Sequence, residues 1–160
     1  MKAWYLVFLL IITCSTASAD ELHLVLSGKA FHFNTDDSWN EKNWGVGFEY
    51  DFDREGNWIP LITGLTFKDS NKKTSRYLGG GVKRRFDLSD DPDGMHLDTG
   101  LIAFAMTRYD HNDNNPFIGV LPFVSIGNNR FSANITYVPG MSPKMVPFLY
   151  IQGMIKLAEF

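Results

Sequence analysis

The stretch WGVGFEYDFD, residues 44–53, alternates with a period of two. Trp44, Val46, Phe48, Tyr50 and Phe52 fall on one face, Gly45, Gly47, Glu49, Asp51 and Asp53 on the other. Successive side chains of a β-strand point to opposite faces, so this segment is a strand with one apolar side and one side that turns from empty to acidic. A soluble ligand-binding barrel would carry polar groups on its outer face. Large apolar groups backed by glycine and carboxylate fit a strand whose outside meets lipid and whose inside is the interior of a narrow barrel. FSANITYV, 131–138, repeats the pattern more weakly, with Phe131, Ala133, Ile135 and Tyr137 opposite Ser132, Asn134 and Thr136.

After residue 20 no stretch of twelve or more residues carries a clean helical stripe. Alternation between turn signals predicts eight strands, at about 22–33, 44–53, 57–68, 76–86, 95–108, 116–126, 130–138 and 147–160. Arg54-Glu55-Gly56 and Gly127-Asn128-Asn129 are tight connections and 87–94 is a longer acidic turn. The remaining connections, 34–43, 69–75, 109–115 and 139–146, are mostly longer and polar. That asymmetry predicts an all-β fold, an eight-stranded antiparallel up-and-down transmembrane β-barrel, with its short turns in the periplasm and its longer loops outside. Leu149, Ile151, Ile155 and Leu157 share a parity that the aromatic last residue, Phe160, does not, which predicts a bulge or a frayed end near Ala158.

Residues 1–19 differ in kind. Lys2 gives a positive start, Trp4 to Ile12 a short apolar run, and Ala17-Ser18-Ala19 a small-residue cleavage pattern, so 1–19 is expected to be a secretory signal peptide and 20–160 the barrel domain. The apolar run is too short to span a membrane as a helix. Cleavage after Ala19 removes Cys14, the one cysteine, and with it any thiol chemistry. A formal net charge of −3 gives no ground for a nucleic-acid partner. His23, His96 and His111 have no metal-ligand spacing, and neither a metal nor a cofactor is expected.

Followed from the outer end of each strand inward, the interior changes character. Strand two reads Gly45, Gly47, then Glu49, Asp51, Asp53; strand four reads Gly79, Gly81, then Lys83, Arg85. Strand five, running the other way, reads His96 and Asp98, then Gly100, Ile102, Phe104 and Met106. The lower half is a charged plug, in which opposite charges must pair because an unpaired buried charge is very costly. The upper half is a slot of the size an eight-stranded barrel leaves for one small ligand, and an acyl chain fits it. The bland alternative has the glycines relieving crowding and Ile102, Phe104 and Met106 filling an ordinary core.

Topology alone brings His32, Asp69-Ser70 and Arg108 to the outer rim, where strands one, three and five end. A histidine that accepts a proton, a carboxylate and a hydroxyl are parts for acyl transfer. Each also has an ordinary reading: Asp-Ser as a turn cap, a solvated rim histidine, loop charge at Lys68, Lys72, Lys73 and Arg76.

The His32 region, NEKNWGVGFEY, DREGNW, the FKDS stretch, the glycines of YLGGGV, GVLPFVSIG and ITYVPG, in this order, resemble the PagP family of lipid A palmitoyltransferases. The resemblance implies an outer-membrane enzyme that moves a palmitoyl chain from the sn-1 position of a phospholipid donor to a hydroxyacyl chain of lipid A, the acceptor part of lipopolysaccharide. It implies catalytic residues at His32, Asp69 and Ser70, further polar positions at Asp53 and Arg108, and the floor of the acyl slot at Gly81. Arg108, Lys72 and Lys73 are expected to meet the phosphates of the acceptor, and the protein is expected to act as a monomer. The chain departs from the pattern in having only Asp20 and Glu21 between the expected cleavage point and strand one, where relatives have an amphipathic helix. It also has Asn43 where they have proline and lacks their strand-one proline, whereas Pro122 and Pro139 remain. The residues leave open a non-catalytic barrel, or a deacylase in which water replaces the acceptor. They also leave open whether Ser70 is a covalent nucleophile or His32 acts as base on the acceptor hydroxyl, the reading preferred.

Overall fold

The alternating segments form strands that pair in chain order and close on themselves. The structure, a computed structural model, describes residues 20–33, 39–91, 93–109, 114–140 and 146–160. The expected leader, 1–19, and His111 lie outside the described residues. Eight strands, β1 (Glu21–His32), β2 (Lys42–Asp51), β3 (Trp58–Lys68), β4 (Thr74–Asp87), β5 (His96–Thr107), β6 (Phe117–Gly127), β7 (Phe131–Val138) and β8 (Phe148–Glu159), make a closed barrel. Each pairs antiparallel with the next, and β1 pairs with β8 from Glu21↔Glu159 to His32↔Phe148. Every strand end lies within two residues of its expected position. Closure satisfies the backbone without an edge, which is what permits strands to cross lipid.

Trp44, Val46, Leu78, Leu101, Ile118 and Phe131 stand exposed on the outer face, and this apolar belt is the surface that meets the bilayer hydrocarbon. Two irregularities break the β1–β8 ladder. One lies between Ser27 and Lys29, around Gly28. The other passes from Leu22↔Ala158 to His23↔Lys156 and so leaves Leu157 unpaired, one residue from the predicted bulge. Asp53 falls outside β2 and is exposed, next to the turn where Glu55 and Trp58 exchange backbone hydrogen bonds and Gly56 takes a left-handed φ of 63°.

At the periplasmic half the interior is an ion-pair network. Lys83 Nζ lies 2.9 Å from Glu49 Oε1, 2.6 Å from Asp51 Oδ2 and 3.9 Å from Asp98 Oδ2. The Arg85 guanidinium donates to both oxygens of Asp98, at 2.9 and 3.0 Å. His23 stands between Glu21 and Asp51, and Lys156 reaches Glu21 at 3.2 Å. The pairing required of enclosed charges is thus met. Above it, Val25, Ala30, Leu65, Tyr150 and Met154 form a small buried apolar cluster. Removing Lys83, which is 3% exposed, strands two carboxylates. Lys83→Met is expected to lose about 3–5 kcal/mol of stability, and Glu49→Gln with Lys83→Met to recover part of it, both measured by urea unfolding in lipid vesicles.

Candidate active site

His32 is the last residue of β1, and its ring is held between Trp39, stacked at 5.7 Å between centroids, and Phe148 of β8 at 5.2 Å. Its Nε2 lies 3.0 Å from Ser70 Oγ. Strand pairing brings the two together: His32 ends an outgoing strand, and Ser70 stands two residues past the end of another, β3. The Nδ1 atom is buried and has no hydrogen-bond partner among the described residues.

Asp69 does something other than orient His32. Its Oδ1 accepts from the backbone N–H of Asn71 and of Lys73, each at 2.9 Å, and its Oδ2 accepts from Ser75 Oγ at 2.9 Å. The carboxylate therefore ties down the β3–β4 turn from within, as aspartate does in Asx turns. Asn40 fastens the same turn from outside, its amide Nδ2 donating to Asp69 O and its backbone N–H to Ser70 O. Ser70 is thereby held at a fixed point on a loop. The turn cap and the rim hydroxyl of the sequence reading coexist in adjacent residues.

Below this pair lies a cavity of about 270 Å³, lined among others by Phe67, Ile102, Phe104, Met106, Leu121 and Phe148 and bordered at its mouth by Asp69, Ser70 and Arg108. Its walls are mostly apolar, and its size suits a small flexible ligand. The barrel wall is incomplete beside it. The β6–β7 ladder runs from Gly127↔Ser132 to Phe123↔Thr136 and stops, so Phe117–Pro122 has no paired residue on β7. Pro122 has no N–H to offer at the point where pairing ends. Val120 is exposed on the outer face by strand parity yet also borders the cavity, as do Val138 and Pro139 across the seam. The cavity thus reaches the lipid-facing surface through the wall.

The opposite side is sealed. β1–β2 pairing continues past the Gly28 bulge to Lys29↔Lys42, and Ala30 N–H donates to Glu41 O. Asn43 donates from Nδ2 to Lys68 O at 2.9 Å, while its backbone carbonyl accepts from Ser27 Oγ. An asparagine with donors to share closes the wall where a proline would interrupt it.

Of the other expected site residues, Arg108 is half-buried and borders the cavity. Lys72 and Lys73 are exposed on the β3–β4 turn, and Lys73 Nζ lies 5.0 Å over the Tyr109 ring. Asp53 is at the far end of the barrel. Gly81 faces inward, but it does not border the cavity. A Cβ placed there would fall inside contact distance of Leu101 O and 3.0 Å from Ile102 Cα. The physical reason for this glycine is close approach of neighbouring strands. Trp39 and Phe148 escaped the sequence reading, because they belong to loop and strand ends whose contacts no periodicity reports. Asn43 stands out in the sequence as a departure from the family proline, and the structure adds its hydrogen bonds. Glu21, His23 and Asp51 also bring ligand atoms within 4.8 Å of one another, although Lys83 already occupies the face of Asp51.

Fold and site define an outer-membrane β-barrel with an apolar internal slot, a lateral opening and a Ser–His pair at its mouth. The profile of the family described as "Antimicrobial peptide resistance and lipid A acylation protein PagP" matches residues 14–152, and the chain belongs to that family. Proteins named "Lipid A acyltransferase PagP" are similar over part of the chain. The one from Methylobacillus flagellatus is 33% identical over 65% of this chain and 55% of its own length, and one from Erwinia sp. strain Ejp617 is 36% identical over the same shares. The Legionella pneumophila protein of that name is 33% identical over 75% of this chain and 62% of its own. The chain thus spans about half the length of these first two curated relatives. Among solved structures, the Yersinia pestis attachment protein Ail superposes with a TM-score of 0.49 at 8% identity, covering 91% of this chain and 100% of that one. A likeness this loose adds nothing to what the strand pairing establishes.

The placement of Gly81 has a measurable consequence. Gly81→Ala is expected to cost about 1–3 kcal/mol through crowding against the β5 backbone. It should lower the urea midpoint and leave any acyl-length preference unchanged; an altered length preference at wild-type stability contradicts the assignment.

Proposed function

We propose that the protein is an acyltransferase that moves an acyl chain from a phospholipid to lipid A in the outer leaflet. The observation that carries this reading is the 3.0 Å contact between His32 Nε2 and Ser70 Oγ at the mouth of a slot open to lipid. A donor chain enters through the β6–β7 seam and lies in the slot, leaving its ester carbonyl beside the pair. His32 Nε2 takes the proton of the acceptor hydroxyl as its oxygen forms a new bond to the carbonyl carbon, and the same proton passes to the departing lysophospholipid oxygen. Ser70 Oγ, hydrogen-bonded to that nitrogen before the acceptor arrives, yields the nitrogen's lone pair to the acceptor hydroxyl, while Trp39 and Phe148 hold the ring. Asp69 is a positioning residue, which holds the turn that carries Ser70. Acceptor and donor phosphates meet Arg108, Lys72 and Lys73, whose charge is matched to them. The protein works as a monomer, because one barrel contains slot, pair and opening.

His32→Ala is expected to lower turnover by about a hundredfold or more, and Ser70→Ala by about tenfold or more, each with the heat-dependent gel mobility of a folded barrel. Mass spectrometry of lipid A from cells expressing each variant reads the loss. Full acylation by both would sink the assignment, and an intact-protein mass increment on Ser70 would replace direct transfer by a covalent route. Release of free fatty acid without acylated lipid A would make the protein a deacylase.

The combined change Lys72→Ala and Lys73→Ala is expected to weaken use of lipid A more than hydrolysis of phospholipid alone. The deficit should shrink at high salt, where exposed charges are screened beyond about 3 Å at 1 M. Equal losses in the two assays, independent of salt, would remove these lysines from acceptor binding.

A further inference from the structure

By strand parity, the charged side chains on the outward face of β3, β4 and β5 are Lys68 and Arg76 at the outer strand ends and Arg84 toward the periplasm. Arg84 is exposed between Val82 and Phe86, opposite Trp58 of β3 and Thr99 of β5. A charge on the lipid-facing side is costly at mid-bilayer and tolerated close to the interface. Arg84 stands three residues before Asp87, the periplasmic end of β4. That is roughly 10 Å along the strand and, at a tilt of roughly 40°, about 8 Å of depth. Its guanidinium carbon lies 5.1 Å from the centre of the Phe86 ring, two residues nearer the periplasm, and 5.7 Å from that of Trp58, the first residue of β3. The side chain therefore runs down the wall toward the headgroups, as long cationic side chains do at an interface.

The two rings hold a cation that has no anion. Among the described residues no carboxylate pairs with Arg84, and Asp87 is engaged by Arg54 at 3.0 Å. Cation–π contact fixes the guanidinium against Trp58 and Phe86 without taking up its N–H donors. A planar fork held in advance, with its donors unfilled, suits a phosphate.

We propose that Arg84, Trp58 and Thr99 form a binding site for the phosphodiester of one glycerophospholipid in the periplasmic leaflet. Arg84 binds two phosphate oxygens, and the Trp58 indole N–H and the Thr99 hydroxyl offer further donors at the same level of the wall. The acyl chains of that lipid lie against Val82 and Leu101, which are exposed above the arginine on the same face. The phosphate supplies the charge that this patch lacks, and the chains continue into hydrocarbon where the wall turns apolar. The site is at the opposite end of the barrel from His32 and Ser70. It requires a barrel that crosses a bilayer and does not require acyl transfer.

Trp58 itself serves as the reporter. In the background Trp39→Phe, Trp44→Phe it is the one tryptophan of residues 20–160, and bromine on an acyl chain quenches an indole at contact range. The purified protein, folded in micelles of an uncharged detergent, is titrated with phosphatidylglycerol or with diacylglycerol, each with brominated chains. Phosphatidylglycerol is expected to quench Trp58 at about tenfold lower concentration than diacylglycerol. Arg84→Gln is expected to raise that concentration about tenfold, to the diacylglycerol value. Arg76→Gln, at the outer end of the same strand, is expected to leave it unchanged. Arg84→Leu carries the test if Arg84→Gln fails to show the gel mobility of a folded barrel. Equal quenching by the two lipids in the parent, or folded Arg84 variants that still prefer the phospholipid, overturns the site.

Discussion

Everything else in this molecule depends on the requirement that a strand crossing hydrocarbon must find partners for its backbone. Water is absent there, and each unpaired N–H or C=O costs several kcal/mol. Seven of the inter-strand seams meet the requirement with long ladders, including the β1–β8 seam that closes the ring. The eighth, between β6 and β7, pairs five residues and then parts. Because the rest of the wall is sealed, the parting has a direction: it faces the bilayer at the height of the slot. Proline at 122 makes the exception cheap, since it brings no donor that would otherwise be stranded.

The plug and the slot are two answers to one geometric problem. An eight-stranded barrel encloses a space that side chains can only just fill. Toward the periplasm it is filled with paired charges, held by Lys83 among three carboxylates. Toward the outside it is left partly empty, between the rings and aliphatic groups that line the cavity. Space that side chains leave unfilled has a cost, because the groups lining it lose contacts on one side. The ion pairs and the closed ladder must tolerate that cost whenever the slot is vacant, and an apolar occupant relieves it. The same empty space that destabilises the barrel therefore supplies the attraction for an apolar occupant.

The fold was legible because period two is a strong signal when one face meets lipid and the other is Gly, Glu and Asp, as at residues 44–53. The plug followed from parity: Glu49, Asp51, Lys83, Arg85 and Asp98 are inward and paired as read. The meeting of His32, Ser70 and Arg108 at one rim followed from strand direction alone. What did not follow is anything decided by side-chain reach. Gly81 pairs with Ile102, which borders the cavity, but it does not border the cavity itself, and the neighbouring strand comes close enough there to exclude a Cβ. Asp53 has the parity of an interior residue, but β2 ends at Asp51 and leaves it exposed. Periodicity tells which face a residue is on; it carries no information about how far a neighbour's side chain extends across the barrel.

The Asp-Ser pair shows how a structural and a chemical role can share a dipeptide. A serine on a rim loop would sample many positions, and most would be out of reach of His32. Three hydrogen bonds to the Asp69 carboxylate and two from Asn40 to the loop carbonyls remove that freedom before any substrate arrives. Groups held in place in advance contribute to rate because their ordering is completed at folding and is not repeated at each turnover. In the proposed mechanism Asp69 serves the site without facing the reacting atoms. His32, whose Nδ1 has no carboxylate beside it, relies on Trp39 and Phe148 for its orientation. In the proposed mechanism the positional work that a third polar residue performs in a triad is divided between two aromatic rings and a turn.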